Sequence, residues 1–208
     1  MTTKRRILVR QVKEWGEILT GIETRNRYEL FGEDGALVAR AAEEGGGVGR
    51  MLGRLFLGSG RKATLHVVDP EGKRLLRGEK PFTWFFHRLE LFEGDRRIGA
   101  VQRRWSWFCR RFTVENAAGE AVFEIVSPFL RIWTFELRFG DHVVGVIRKK
   151  WGGMLRELFT DADAFGVEYE DLPELDVLRP LLIGAVFLVD FTCFEGNQGR
   201  SSVADLVP

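Results

Sequence analysis

The chain has 208 residues, 45% of them hydrophobic and 12% aromatic, which is enough to bury the core of one domain or at most two. Its formal net charge is only +1, which excludes a protein that is basic throughout and built to bind nucleic acid. Two cysteines, Cys109 and Cys193, exclude a disulfide framework and a cysteine zinc site. Because no long apolar run follows the basic N-terminal residues, we expect no signal peptide and a cytoplasmic protein.

Turn signals divide residues 25–150 into short segments in which apolar and polar side chains alternate. Turns rich in Gly and Asp occur at 33–35, 69–72, 93–95, 116–119 and 140–141. The segment 133–139 alternates large apolar with polar residues, as a half-buried strand does. This pattern predicts a series of antiparallel hairpins.

The glycine-rich segment 45–60 interrupts the alternation and has an apolar centre at 51–57. Its composition is typical of a flexible connection between two strands. Leu55 and Phe56 in that centre also suit contact with a bilayer, and both interpretations stay open. No Gly-Lys-Ser/Thr sequence is present, so the segment is not a phosphate-binding loop of the nucleotide-binding type.

Two of the hairpin segments, 94–105 and 140–151, are near copies of each other. Their Gly, Asp, second Gly, paired basic residues and Trp fall at the same positions. Repeated hairpins at short spacing predict an all-β sheet that hides its edges, most simply by closing into a barrel of ten to twelve strands.

Cations and aromatic rings are interleaved between residues 103 and 112, and the end of the second repeat has a similar composition. Such segments suit the membrane interface, where rings lie at headgroup depth and cations meet lipid phosphates. The expected lipid-contact residues are Arg103, Arg104, Trp105, Trp107, Arg110, Arg111, Lys149, Lys150 and Trp151. Two alternatives are an edge strand with solvated charges and inward rings, and stacking on single-stranded nucleic acid, which the low net charge disfavours.

An almost uniformly apolar run extends from Leu181 to Phe194. It is too short for an ordinary membrane span, which needs about 20 apolar residues. Asp190 would also cost about 2.5–3.5 kcal/mol at the centre of a spanning helix. Because a barrel of this size must be filled, we expect a core helix over about 180–194 inside a single domain of residues 1–196, followed by a disordered tail at 197–208.

Three ordered blocks carry a resemblance to a known family. They are EILTGIET at 17–24 with Asn26 and Tyr28, WGGMLRELFTDADAFG at 151–166, and IGAVFLVDF at 183–191 with Phe194 and Glu195. On these blocks the chain resembles the phospholipid scramblase family, within the tubby-like, LURP-one-related group. The resemblance implies a closed, twelve-stranded antiparallel β-barrel around a central hydrophobic C-terminal helix, and a lipid-related role at a membrane that is often calcium-dependent.

The chain also departs from the eukaryotic members of that family. We expect no proline-rich N-terminal extension of the kind that those members have, and the segment 45–60, where they carry acylated cysteines, contains no cysteine. We therefore expect a short, prokaryotic-type member without thioester-linked lipid anchors.

The resemblance places a proposed calcium loop at 161–172. Compared with an EF-hand loop, Asp161, Asp163 and Gly166 fit positions 1, 3 and 6, whereas Leu172 at position 12 has no side-chain oxygen. The two aspartates predict a weak calcium site at most. The alternative is a turn before a strand in which the aspartates act as caps. No cofactor is expected to be required.

Nothing in the sequence predicts bond chemistry. His66, His87 and His142 do not have the spacing of metal ligands, and no Ser or Cys has the surroundings of a nucleophile. The leading hypothesis is peripheral binding to an anionic phospholipid surface at the inner face of the cell membrane, with bidirectional phospholipid movement as a further activity. The rival hypothesis is a soluble interaction or regulatory barrel without a lipid role.

Overall fold

The computed structural model describes residues 4–12, 24–44, 62–107, 109–128, 130–131, 133–149, 164–170 and 177–194. These residues form twelve strands followed by one helix. The strands are β1 (Lys4–Val12), β2 (Thr24–Phe31), β3 (Leu37–Glu44), β4 (Ala63–Val68), β5 (Arg74–Lys80), β6 (Arg88–Glu93), β7 (Arg96–Arg104), β8 (Cys109–Asn116), β9 (Ala121–Pro128), β10 (Thr134–Phe139), β11 (His142–Lys149) and β12 (Ala164–Glu170), and the helix is α1 (Arg179–Cys193).

The twelve strands form one closed antiparallel barrel. Each strand pairs with its neighbour in the chain, and β1 closes the barrel against β12. In β10 the alternation predicted from the sequence is present, since Phe135 and Leu137 are fully buried in the core while Glu136 and Arg138 pair outside it. The predicted fold class is therefore confirmed, and closure leaves none of the twelve described strands with a free edge.

The two similar sequence segments, 94–105 and 140–151, supply equivalent strand pairs. Both pairs contain the same register shift, and Gly99 and Gly145 lie just beyond it. A Cβ atom at Gly99 would lie 2.2 Å from the carbonyl oxygen of Glu115, and one at Gly145 would lie 2.6 Å from a carbonyl oxygen of β12. The repeated glycines are thus explained by the close approach of two backbones.

Helix α1 lies inside the barrel, as the apolar run predicts. Buried side chains occur on every side of the helix, and Phe187 and Leu188 are fully inaccessible to solvent. Pro180 lies in the first turn, where its missing N–H costs nothing. Gly184 lets the helix approach β6, because a Cβ there would lie 2.4 Å from Leu91 Cδ1. Among the described residues, no helix has the length and apolar character that crossing a membrane requires.

The acid in this helix, Asp190, is part of the core. It is only 4% exposed, and the Tyr28 hydroxyl of β2 donates a 2.6 Å hydrogen bond to its carboxylate. The Tyr28 ring also packs edge-on against Phe187, with ring centroids 5.0 Å apart. A buried carboxylate is tolerated only with such partners, so this contact ties the helix to one depth in the barrel.

We expect Tyr28→Phe to lower the free energy of unfolding by about 1–3 kcal/mol, because it leaves the Asp190 carboxylate buried with one hydrogen bond fewer. The matched control is Tyr169→Phe, which removes another buried hydroxyl. That hydroxyl accepts a 3.2 Å hydrogen bond from Arg179, which is half-buried and can rehydrate. Urea denaturation of both variants measures the difference, and equal losses would contradict the proposed importance of the Asp190 contact.

Candidate functional site

The two ends of the barrel are built from different connections. Because neighbouring strands are antiparallel, connections after even-numbered strands lie at one end and those after odd-numbered strands at the other. The first end, here called the turn end, has short polar turns at 32–36, 69–73, 94–95, 117–120 and 140–141. At the opposite end, the loop end, the structure describes residues 62, 81–87, 105–107, 130–131 and 133.

Exposed aromatic rings are concentrated at the loop end. Among the described residues, every large exposed ring lies there, and the exposed large apolar residues of the turn end are aliphatic. We call the exposed apolar residues of the loop end the aromatic rim: Phe82, Trp84, Phe85, Phe86, Trp105, Trp107, Leu130 and Trp133. Trp84, Phe85 and Trp107 are each more than two-thirds exposed. Such a concentration of apolar surface is typical of a site that binds another apolar surface.

Ring pairs give the rim a defined shape. Trp105 and Trp107 meet edge to face with centroids 4.4 Å apart, and Phe82 and Trp84 do so at 5.2 Å. Trp133 stacks on Phe194, the residue that follows α1, at 5.2 Å. The rim is therefore supported in part by the end of the core helix.

A ring of polar side chains lies immediately beneath the rim, inside the barrel. Directly opposed residues of paired strands share a face, and this pairing places Arg103 beside the buried Phe112 and Lys149 beside the buried Phe165. We call the inward-facing set the polar layer: Gln11, Asn26, Glu43, Lys80, His87, Arg103, Arg110, Ser127 and Lys149.

Cations outnumber carboxylates in this layer. Its four cations are Lys80, Arg103, Arg110 and Lys149, and the last three lie near the C-terminal end of α1. The described carboxylates at this depth are those of Glu43 in the layer and Asp190 in the helix. The carbonyls at the helix end add only a partial negative charge, so the described residues carry a net positive charge at this depth.

His87 lies within this positive environment. It is buried, and the Thr83 hydroxyl lies 3.1 Å from its Nδ1. Burial, together with the charges of Lys80 and Arg103, lowers the pKa of His87 from 6.5 to about 4. The imidazole is therefore neutral at neutral pH.

Lys149 is not at the surface, in contrast to the sequence-based prediction of a lipid contact. It is 8% exposed, and its ammonium lies 4.3 Å from the ring centroid of Phe194 and 5.4 Å from that of Phe165. The alternation of β11 turns this residue inward, where two rings stabilise the charge.

The predicted arginines divide between two faces. Arg103 and Arg110 point into the polar layer, whereas Arg104 and Arg111 oppose each other on the outer face. Arg104 pairs with Glu115 at 3.0 Å, and Arg111 lies 3.8 Å from a carboxylate of β9. These partners offset the repulsion between the two outer arginines.

Trp105 and Trp107 are exposed, as lipid contact requires and contrary to the alternative with inward rings. The described part of the chain contains no group of acidic, His and Cys side chains able to hold a metal ion. Other predicted residues, together with the tail 197–208, lie outside the described residues: Leu55, Phe56, Lys150, Trp151, Asp161 and Asp163.

Comparison with known proteins identifies the family. The family model described as Scramblase matches residues 1–196. The chain belongs to the scramblase family. It is 33% identical to phospholipid scramblase 1 of Mus musculus, over 95% of this chain and 64% of the relative. It is 35% identical to phospholipid scramblase 1 of Homo sapiens, over 94% of this chain and 65% of the relative.

A more distant relative is a phospholipid scramblase family protein of Schizosaccharomyces pombe, 25% identical over 78% of this chain and 45% of the relative. The chain thus spans slightly less than two thirds of the mammalian relatives named above. These relatives do not support the expectation of a prokaryotic-type member.

Within this family fold, sequence reasoning missed Leu130, Trp133 and the aromatic residues at 82–86 of the rim, and the last group is the largest part. Pro81 precedes four aromatic rings there, Phe82, Trp84, Phe85 and Phe86, in a connection between two alternating segments. A run of rings without period-two alternation is the signal that could have found them, because it fits neither a half-buried strand nor a polar turn.

The lowered pKa of His87 predicts a pH dependence of stability. The neutral form favours folding, so this contribution is complete above the unfolded-state pKa of 6.5 and is lost as the pH falls towards about 4. We expect His87→Gln to lose less unfolding free energy than the wild type across this window. Denaturant titrations at several pH values measure this, with the exposed His142→Gln as control, and equal slopes for His87→Gln and wild type would contradict the assignment.

Proposed function

We propose that this protein is a scramblase-like, peripheral membrane-lipid-binding protein whose loop end docks on an anionic phospholipid surface. The observation that carries the proposal is the contrast between the two ends, with exposed Trp and Phe at one and polar turns at the other. The names of its relatives are consistent with this role.

The chemistry of the loop end suits a lipid interface better than a soluble partner of unknown kind. Trp rings favour headgroup depth, where their apolar faces contact acyl chains and their N–H groups meet water. Arg104 and Arg111 on the outer face, together with the exposed Arg131, would face anionic headgroups. The barrel axis would then stand upright on the membrane, with the turn end in water.

Further residues would join this surface. Leu55 and Phe56 lie in the connection after β3, and Lys150 and Trp151 lie in the connection after β11. Both strands end at the loop end, so we include these four residues in the proposed docking surface. Anionic lipids are enriched in the cytoplasmic leaflet, and we therefore propose the inner face of the cell membrane as the site of action.

We propose bidirectional phospholipid movement as the activity that follows docking, without bond chemistry. Because α1 fills the barrel, a lipid could not cross through the apolar part of the lumen. Movement would instead follow from local thinning of the bilayer beneath the rim. Reconstitution into vesicles with a fluorescent phospholipid in one leaflet tests this, and an unchanged flip rate would restrict the function to binding.

The rim predicts where membrane binding is lost. We expect Trp84→Ser/Phe85→Ser/Trp107→Ser to weaken binding to vesicles that contain phosphatidylserine by at least about tenfold, since each ring contributes roughly 1.5–3 kcal/mol when buried. Vesicle co-sedimentation at low salt measures the change.

The matched control removes three exposed apolar side chains at the turn end, Val38→Ser/Leu75→Ser/Val143→Ser. This control should bind vesicles as the wild type does. Equal losses in both triple variants would contradict the proposed orientation, and no binding by the wild type would favour the soluble interaction module.

We also propose a weak influence of calcium through Asp161 and Asp163. Two carboxylates are few for a calcium site, so we expect an effect only at millimolar concentrations, roughly 10⁻⁴–10⁻³ M or weaker. Asp161→Asn/Asp163→Asn should abolish any calcium enhancement of vesicle binding and leave binding in EGTA unchanged. Enhancement that survives in this variant would place the calcium effect elsewhere.

A further inference from the structure

The two pairs of neighbouring arginines differ in the side of the sheet that they occupy. Arg103 and Arg110 face the lumen, where they flank the end of α1, whereas Arg104 and Arg111 face outward. The pairs have the same chemistry, lie on the same two strands and are adjacent in sequence. They therefore distinguish a site inside the lumen from a charged outer surface.

The polar layer has an excess of positive charge. Four cations, Lys80, Arg103, Arg110 and Lys149, share this end of the lumen with the carboxylates of Glu43 and Asp190, counting the described residues only. Lys80, Arg110 and Lys149 also have other contacts, so the excess of charge and its position matter here, and not a missing partner. An anion at this position would gain charge-assisted hydrogen bonds in an environment of low polarity.

The layer also lies where a lipid headgroup would arrive. It is directly beneath the aromatic rim. Trp133 of the rim stacks on Phe194, and the Lys149 ammonium of the layer lies 4.3 Å from the centroid of the same ring. A phospholipid whose acyl chains contact the rim would therefore present its phosphate to the arginines of the layer.

We infer that the polar layer is a binding site for one phosphate group, supplied by a phospholipid headgroup or by free phosphate, with Arg103 and Arg110 as its principal ligands. For the headgroup source, the inference rests on the proposed membrane docking and deepens it by naming the group that is bound. Arginine suits this role because its planar guanidinium can donate two parallel hydrogen bonds to phosphate oxygens.

Isothermal titration of the full chain tests the site without a membrane. The probes are dihexanoylphosphatidylserine below its micelle concentration, inorganic phosphate, and dihexanoylglycerol, which lacks a phosphate. We expect saturable binding of at least one phosphate probe and none of dihexanoylglycerol. Binding of inorganic phosphate alone would assign free phosphate as the source, whereas binding of neither phosphate probe would overturn the inference.

The two arginine pairs supply matched variants. Arg103→Gln/Arg110→Gln should weaken binding of the phosphate probe by at least about tenfold, as expected for the loss of charged hydrogen bonds. Arg104→Gln/Arg111→Gln should keep the affinity for the soluble probe while binding vesicles more weakly. Equal weakening of probe binding by both pairs would indicate general electrostatic attraction and overturn the site.

A measurement on the wild type covers the case in which the inner variant does not fold. An anion in the layer offsets the charges of Lys80 and Arg103, so the pKa of His87 should rise when the site is saturated. NMR titration of the His87 ring, assigned with His87→Gln, detects this, and an unchanged pKa would count against the site.

The outcomes for the phosphate site and for membrane docking are distinguishable. If the protein binds vesicles but not the soluble phosphate probes, this inference is refuted and the proposed function stands. If it binds a soluble phosphate probe but not vesicles, membrane docking alone is refuted.

Discussion

The rest of the structure depends on the need to fill a closed twelve-stranded barrel. Strands that pair only with their neighbours enclose a lumen, and α1 occupies it with side chains that are apolar on every side. Gly99 and Gly184 permit the close approaches that this packing needs, and Tyr28 satisfies the buried Asp190. Because the helix fills the lumen, the side chains that could bind a partner lie on the outer wall or at the two ends of the barrel.

The direction of the helix makes the ends electrostatically different. Its first turn lies near Tyr169, and Phe194 after its last turn lies near Phe165, so its negative pole points towards the loop end. Cations on the strand ends can therefore approach that pole at a lower cost than elsewhere in the lumen. The positive layer and the aromatic rim thus coincide at one end because a helix of one polarity fills the barrel.

Much of the fold could be predicted from the sequence because hydrophobic periodicity and turn chemistry are local signals. The apolar run at 181–194, with Asp190 inside it, indicates a buried helix, and the repeated hairpins indicate closure. The sequence could not show which arginines between Arg103 and Arg111 point into the lumen and which point outward. If a strand boundary or a bulge moves by one residue, every inward side chain of that strand becomes an outward one. For the same reason, the sequence did not predict that the strand turns Lys149 inward.

The internal repeat gives this inward placement a structural basis. Arg103 and Lys149 occupy the same position of the two similar segments, at the end of an odd-numbered strand and two residues after the buried Val101 or Ile147. A cation deeper in the lumen would lose its hydration among apolar side chains. At the last inward position, a long side chain can instead reach the helix terminus, an aromatic ring or an incoming anion. Anion recognition in this fold is consequently confined to the mouth of the lumen, and the acyl chains of a bound lipid would remain outside, at the rim.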